Sequence, residues 1–297
     1  MISQRNRRPV AVRLLPSVVT ILALCAGLSA VKFALDGELG TALAMIGAAA
    51  ILDALDGRIA RLLDATSKIG AELDSLADSI SFGVAPALVL YVTLLEGSRF
   101  GWIIALVYAV AMVLRLARFN TLLDVDDTPG YASEFFTGVP APAGALIVLT
   151  PMAAFQEWGS GWWSSFYVVA GWTLFTAGLA VSRVPTLAMK TVSVPPRMAA
   201  GLLILVALAA AALITYPLIL LVVLVAIYLV HIPFAVRSQR WVAARPYTWD
   251  SKPAERRAER RAIRRAPRAE RRAIRRAPRN HGRSSARLGL RRPKSPS

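Results

Sequence analysis

Four aspartates carry the chemistry this sequence can do. Asp53 and Asp56 stand three apart within Ile51–Arg61, and Asp74 and Asp78 four apart within Gly70–Asp78. On helices, both spacings place the two carboxylates on one face. The short link between the segments predicts neighbouring antiparallel helices, so that all four carboxylates converge on one point. Ionised carboxylates gathered in an apolar setting repel one another and cost on the order of several kcal/mol unless neutralised. Oxygen ligands without His or Cys favour Mg2+ or Mn2+ over zinc. Two such ions per site would suit displacement at phosphorus.

The neighbouring residues fit a phosphate substrate. Gly57 puts no side chain beside Asp56, so a ligand can approach the backbone. Ala60 leaves room one turn on, and Gly70 would permit close packing of the second helix. Arg61, near the end of its helix, can hold a phosphate through a bidentate fork. Arg115 and Arg118 stand at i, i+3 near the end of a later apolar segment and could hold a carboxylate or a phosphate, with Asn120 orienting an amine. The alternative for this Arg pair is anchoring at the lipid headgroups. Asp64 and Glu72 read as helix caps or ion-pair partners.

These residues must be positioned by membrane helices. The chain has 297 residues, is 56% hydrophobic and has a mean hydropathy of +0.51. The excess over the roughly 45–50% of a soluble domain lies in long runs. Eight apolar segments occupy about 16–35, 40–63, 71–95, 101–122, 140–156, 162–182, 198–214 and 216–236. Continuous Leu/Ala/Val/Ile runs predict helices rather than a barrel. The expected fold is an all-α polytopic bundle of about eight spans.

Loop charge sets its orientation. With the N-terminus inside, the inner connections hold Arg58, Arg61, Lys68, Arg115, Arg118, Arg183, Lys190 and Arg197, whereas Arg99 is the one base of the outer ones. By the positive-inside rule both termini and the active site face the cytoplasm. Trp158, Trp162 and Trp163 suit an interfacial aromatic belt.

The net charge of +17 has a single origin. Residues 1–236 hold 14 Lys+Arg and 14 Asp+Glu, whereas residues 237–297 hold 21 and 4. Residues 1–15 thus read as a basic juxtamembrane segment, 16–236 as the membrane domain, and 237–297 as a basic cytoplasmic tail of disordered type. Ala258–Arg268 reads AERRAIRRAPR, and Ala269–Arg279 repeats it. Anionic lipid headgroups are the expected partner of this tail. Nucleic acid is not, because no aromatic residue interleaves the repeats and no motif supports it. Cys25, the single cysteine, excludes an intramolecular disulfide and a cysteine metal site.

The spacing Asp53-x2-Asp56-Gly57-x2-Ala60-Arg61-x8-Gly70-x3-Asp74-x3-Asp78 resembles the full motif of the CDP-alcohol phosphatidyltransferase family. The resemblance implies a six-helix membrane core, to which this chain adds two spans, and two bound divalent ions. It also implies transfer of a substituted phosphate from a CDP-linked donor to an alcohol with release of CMP. By that resemblance Asp53, Asp56, Asp74 and Asp78 ligate metal, and Asp78 is the base toward the acceptor. Gly57, Arg61 and Ser67 correspond to CDP-binding positions. Ser17 and Thr20 stand where the family often has an Asn and a Thr against the nucleotide.

Within the family, Ser81–Ala87, Arg115–Asn120 and Phe136–Ala143 are similar to the bacterial membrane-spanning branch that makes phosphatidylserine. That implies CDP-diacylglycerol and L-serine as substrates, a plasma-membrane location and a homodimer. Arg115, Arg118 and Asn120 become the expected serine or phosphate site. The Pro-rich Val139–Ala143 is expected to break or kink a helix nearby. A phosphorylated acceptor such as glycerol 3-phosphate or inositol phosphate stays open within the family. Outside it, an ion-coupled transporter with a buried acidic cluster is the rival reading.

Overall fold

The computed structural model describes residues 10–63, 67–123, 135–182, 184–187 and 199–243. The basic N-terminal residues 1–9, Asp64, the loop bases Arg183, Lys190 and Arg197, and residues 244–297 with their repeats lie outside the described residues.

Helices α1 (Val10–Leu35) and α2 (Leu39–Leu62) form a closely packed hairpin. Its turn needs Gly37, whose φ of +80° suits glycine. The Lys32 ammonium pairs with the Asp36 carboxylate at the same turn. Helix α3 (Lys68–Asp78) starts at Ser67, whose hydroxyl accepts from the Gly70 N–H at 3.0 Å. It continues through a π-helical stretch, Ser79–Val84, into α4 (Ala85–Leu90) and a second π-helical stretch, Tyr91–Leu95. Together, Ile69–Leu95 makes one apolar helix of 27 residues. Helix α5 (Gly101–Leu123) packs against the first π-helical stretch.

At two of the prolines within the helical runs, Pro86 and Pro151, an aromatic side chain takes over the backbone hydrogen bond that the proline cannot make. Pro86 has no N–H for the carbonyl of Phe82, and the Tyr108 hydroxyl on α5 donates to that carbonyl at 3.0 Å. Pro151 likewise has none for Ile147, and Trp172 Nε1 donates to the Ile147 carbonyl at 2.6 Å. At the second proline the segment divides into α6 (Ala141–Val148) and α7 (Thr150–Trp158). The expected break near Val139–Ala143 therefore falls later. Pro140 instead precedes the first residue of α6, a position that requires no N–H.

Helix α8 (Phe166–Val181) comes after a 3-10 turn, Trp162–Ser164. Trp158, Trp162 and Trp163 stack edge to face there, with centroids 5.9 and 6.3 Å apart. Strands β1 (Phe135–Thr137) and β2 (Pro185–Leu187) pair antiparallel, a three-residue addition to an otherwise helical fold. Gly138, at φ +83°, ends β1, and a side chain there would meet the carbonyls of Ala180 and Ser182. Helices α9 (Ala199–Thr215) and α10 (Pro217–Ala243) close the described chain.

The chain is a polytopic helical membrane protein. All eight apolar segments are helical, but they differ in reach. Among the described residues, five helices are long and apolar enough to cross a membrane: Leu14–Leu35, Leu39–Leu62, Ile69–Leu95, Gly101–Thr121 and Pro217–Val242. The other segments are α8 and α9, shorter apolar helices, and the α6–α7 pair broken at Pro151. Sixteen residues of α8 rise only about 24 Å against roughly 30 Å of hydrocarbon. The core is rich in small side chains such as Ala30, Ala42, Ala49, Ala85 and Ala145, which let helices approach closely. Many Leu, Ile and Val side chains point outward instead, as lipid-facing residues do.

Candidate active site and metal centre

The motif helices do not pack as expected. Among the described residues α2 and α3 make little direct contact, and α1 lies against both. The gap between them is where the carboxylates meet. Asp53 and Asp56 reach it from α2, and Asp74 and Asp78 from α3. Carboxylate oxygens of Asp53, Asp56 and Asp74 lie within 4.8 Å of one another. Asp78 is in hydrogen-bond contact with Asp53. Two carboxyl groups make such a contact only with a proton or a cation between them.

Burial sharpens the case for a cation. Asp56 is 4% exposed, and Asp53, Asp74 and Asp78 are half-buried. The one ion pair among the described residues is Lys32–Asp36, so no Arg or Lys there makes a salt bridge to the four carboxylates. The site therefore fits divalent metal in charge, in its all-oxygen donors and in their spacing.

The flanking residues divide by what they touch. Thr20 on α1 donates to Asp56 Oδ2 at 2.7 Å, and its hydroxyl also lies 3.1 Å from the carbonyl of Pro16. It fixes the orientation of the most buried carboxylate. Ser17 lies nearly one turn earlier on the same helix, half-buried. Gly57 faces open space: nothing lies within 4 Å of where a Cβ would stand. Protein packing thus gives no reason for glycine there, whereas room for a ligand does. Arg61 Nε donates to the Gly57 carbonyl at 2.9 Å, which lays the guanidinium along that open side. Ser67 caps α3. The close neighbour of Gly70 is this cap hydroxyl, 3.0 Å from a Cβ position, rather than the other motif helix.

The two arginines of α5 have different surroundings. Arg118 Nη1 donates to the carbonyl of Val181 at 3.2 Å, tying α5 to the end of α8. Asn120 Nδ2 donates to Ser75 Oγ at 2.9 Å, tying α5 to α3 on the turn between Asp74 and Asp78. Arg115 is half-buried, and its Nε has no hydrogen-bond partner among the described residues. Its guanidinium lies within electrostatic reach of Asp78, Tyr228, Tyr108 and Asp53.

Sequence reasoning did not single out three residues that build this site. Ser75 holds Asn120, and Tyr108 pins the π-helical stretch after Asp78. Gly27 on α1 lets that stretch approach, since a Cβ there would stand 2.8 Å from the Cα of Ser81. A hydroxyl-bearing tyrosine inside an apolar run, one helix after a mid-run proline, was a legible signal; the glycine contact depends on tertiary packing and was not.

Comparison with known proteins agrees with this geometry. The family model of CDP-alcohol phosphatidyltransferase matches residues 13–184, and a second, CDP-alcohol phosphatidyltransferase 2, matches residues 197–233. The chain belongs to the CDP-alcohol phosphatidyltransferase family, whose members use divalent metal. Among its relatives is the CDP-diacylglycerol--serine O-phosphatidyltransferase of Mycobacterium tuberculosis (strain ATCC 25618 / H37Rv), 51% identical over 289 residues and 97% of each chain. The protein of that name from Mycobacterium leprae is 48% identical over 97% of each chain. That of Helicobacter pylori (strain ATCC 700392 / 26695) is 38% identical over 46% of this chain and 56% of its own. The mycobacterial similarity covers 97% of this chain and so runs on into the basic region beyond residue 236. The second family match covers all of α9 and α10 as far as Pro233, the two segments expected as additions to the core.

Proposed function

We propose that this protein is a phosphatidylserine synthase, an enzyme that transfers the phosphatidyl group from CDP-diacylglycerol to the hydroxyl of L-serine and releases CMP. The observation that carries the reading is the convergence of the Asp53, Asp56 and Asp74 carboxylates, with Asp78 beside Asp53, next to an open glycine and a half-buried arginine. Mycobacterial relatives named for this reaction, alike over nearly the whole chain, support the choice of acceptor.

Asp53, Asp56, Asp74 and Asp78 hold two divalent ions, Mg2+ or Mn2+. When bound, these ions neutralise the carboxylates and supply electrostatic stabilisation for the pyrophosphate and the departing CMP. Gly57 gives the donor access to the backbone, and Arg61 binds its phosphate. Ser67, Ser17 and Thr20 line the nucleotide end. Asp78 takes the proton from the serine hydroxyl, and the oxygen attacks the lipid-side phosphorus. Arg115 receives the serine carboxylate: a cation desolvated without a direct ion pair is costly, and an anionic substrate offsets that cost. Arg118 and Asn120 support it by fixing α5 against α8 and α3.

The membrane domain spans about residues 16–236, with both termini and the site on the cytoplasmic side of the plasma membrane. Charge in the loops supports that orientation. The basic segments 1–15 and 237–297 rest on anionic headgroups, each base near the surface contributing on the order of 1 kcal/mol. The enzyme works as a homodimer, as the family resemblance implies.

The test is product identification. Purified protein with CDP-diacylglycerol and Mn2+ is offered L-serine, glycerol 3-phosphate or inositol phosphate, and the lipid products are separated by mass. Phosphatidylserine as the main product supports the reading. A phosphorylated product would keep the family and replace the acceptor.

A further inference from the structure

Helix α3 supplies Asp74 and Asp78, yet little apolar burial holds it. Although α1 lies against it, Ala77 is its one fully buried side chain among the described residues, and Ile69 and Leu76 are 83% and 63% exposed. Rotation of such a helix by one residue step, about 100°, would swing both carboxylates off the site. Polar contacts to α5 oppose that rotation. Asn120 Nδ2 donates to Ser75 Oγ at 2.9 Å, and Asn120 Oδ1 stands 3.3 Å from the same hydroxyl. Both polar ends of the amide are thus turned to α3. Apart from the Asp53–Asp78 contact, these are the side-chain hydrogen bonds that join α3 to another helix among the described residues. Ser75 follows Asp74 directly and stands nearly one turn before Asp78, so it sits beside both carboxylates. The same α5 also holds the chain beyond Asp78, where the hydroxyl of the fully buried Tyr108 donates to the Phe82 carbonyl at 3.0 Å. Asp78 lies between the two attachments.

Resting on the reading of the four aspartates as metal ligands, we propose that Ser75 and Asn120 are positioning residues for the metal centre: their hydrogen bond fixes the rotation of α3 and so presents Asp74 and Asp78 to the ion. Asn120 acts through Ser75, and the amine of the acceptor is not its partner. The physical reason is that divalent ions of this kind demand well-placed oxygen ligands, so a helix free to turn holds them less tightly.

The experiment is a double-mutant cycle on the full-length protein: wild type, Ser75→Ala, Asn120→Ala and the two combined. Each is stripped with EDTA, freed of the chelator and titrated with Mn2+, and the free ion is read from its electron paramagnetic resonance signal. The expected result is a Kd for Mn2+ raised about tenfold in each single variant, the lower end for partners that orient metal ligands. The double variant should lie within about twofold of the single ones, because all three lose the same bond. Ser75→Thr, which keeps the hydroxyl, should bind Mn2+ within about twofold of wild type. The KM for L-serine, from steady-state CMP release at saturating Mn2+, should change less than about twofold in every variant. Unchanged Mn2+ affinity in the single variants overturns the proposal. So do effects that multiply in the double variant, or a Ser75→Thr as weak as Ser75→Ala, which would make shape rather than the hydroxyl the cause. A raised KM for L-serine confined to Asn120→Ala would place the amide on the acceptor and overturn it as well. Wild type that binds no Mn2+ would remove the metal centre and the proposal together. Wild type that binds Mn2+ but releases no CMP with serine would remove the serine reading alone, and the Mn2+ affinities would still decide the proposal.

Discussion

The α1–α5 half of the molecule and the α9 helix solve different problems with similar composition. In the first half, apolar helices enclose polar work: Thr20, Asp56 and Ser81 are buried, and each makes or receives a hydrogen bond across elements or to backbone. In α9, nearly every described side chain is exposed, and Leu203, Ile204, Leu205 and Leu208 are all above 60%. Such a surface is stable because lipid covers it as well as protein would. Hydropathy alone cannot tell the two apart. What distinguishes them is the polar residues at helical spacing and the small residues that let helices close around them.

That contrast predicts where substitutions hurt. The largest effect is expected for Asp78→Asn, which should lower kcat about 10³-fold, within the usual range for losing a general base. The variant should still purify as folded helical protein, as circular dichroism would show. Wild-type turnover by this variant would remove Asp78 from the role of base.

Next comes Thr20→Val, which removes the 2.7 Å bond to Asp56 Oδ2 while preserving shape. Partners that orient a metal ligand typically contribute about 10-fold to 100-fold in metal affinity or activity. Mn2+ titration of CMP release should show a shift of that size. Unchanged Mn2+ dependence would mean that Thr20 serves the fold alone.

Glycines offer a cleaner separation of packing from chemistry. Gly27→Ala inserts a methyl 2.8 Å from the Ser81 backbone and should destabilise by about 1–3 kcal/mol in thermal or denaturant unfolding. Gly57→Ala meets no protein atom within 4 Å and should leave the melting temperature unchanged. Its expected effect is a higher KM for CDP-diacylglycerol. If Gly57→Ala melted early and bound the donor normally, the open side of α2 would not be the nucleotide site. The smallest effect belongs to α9: Ile204→Ala, at a side chain 62% exposed, should change stability by no more than about 0.5 kcal/mol.

Much of this was legible from residue order. The eight apolar segments become helices because no other open backbone satisfies itself in lipid. The four aspartates were recognisable from spacing, and carboxylate oxygens of three of them, Asp53, Asp56 and Asp74, come within 4.8 Å of one another. Their mode of convergence was not legible. A short link implied α2 packed on α3, whereas these two helices make little direct contact among the described residues and α1 packs against both. The break in the α6–α7 segment was expected near Pro140, yet it comes at Pro151, since a proline at a helix start costs nothing and one in mid-run costs a hydrogen bond. The pairing of each orphaned carbonyl with Tyr108 or Trp172 joins residues more than 20 positions apart, which local sequence does not encode.

Metal-dependent transfer to serine at the four-aspartate centre is the proposed activity. Its most direct test is CMP release by purified protein given CDP-diacylglycerol and Mn2+, with and without L-serine, before and after EDTA. The expected release requires serine, stops with EDTA and returns when excess Mn2+ is added. Serine-dependent release that persists after complete metal removal, or no release with any alcohol acceptor, would contradict it.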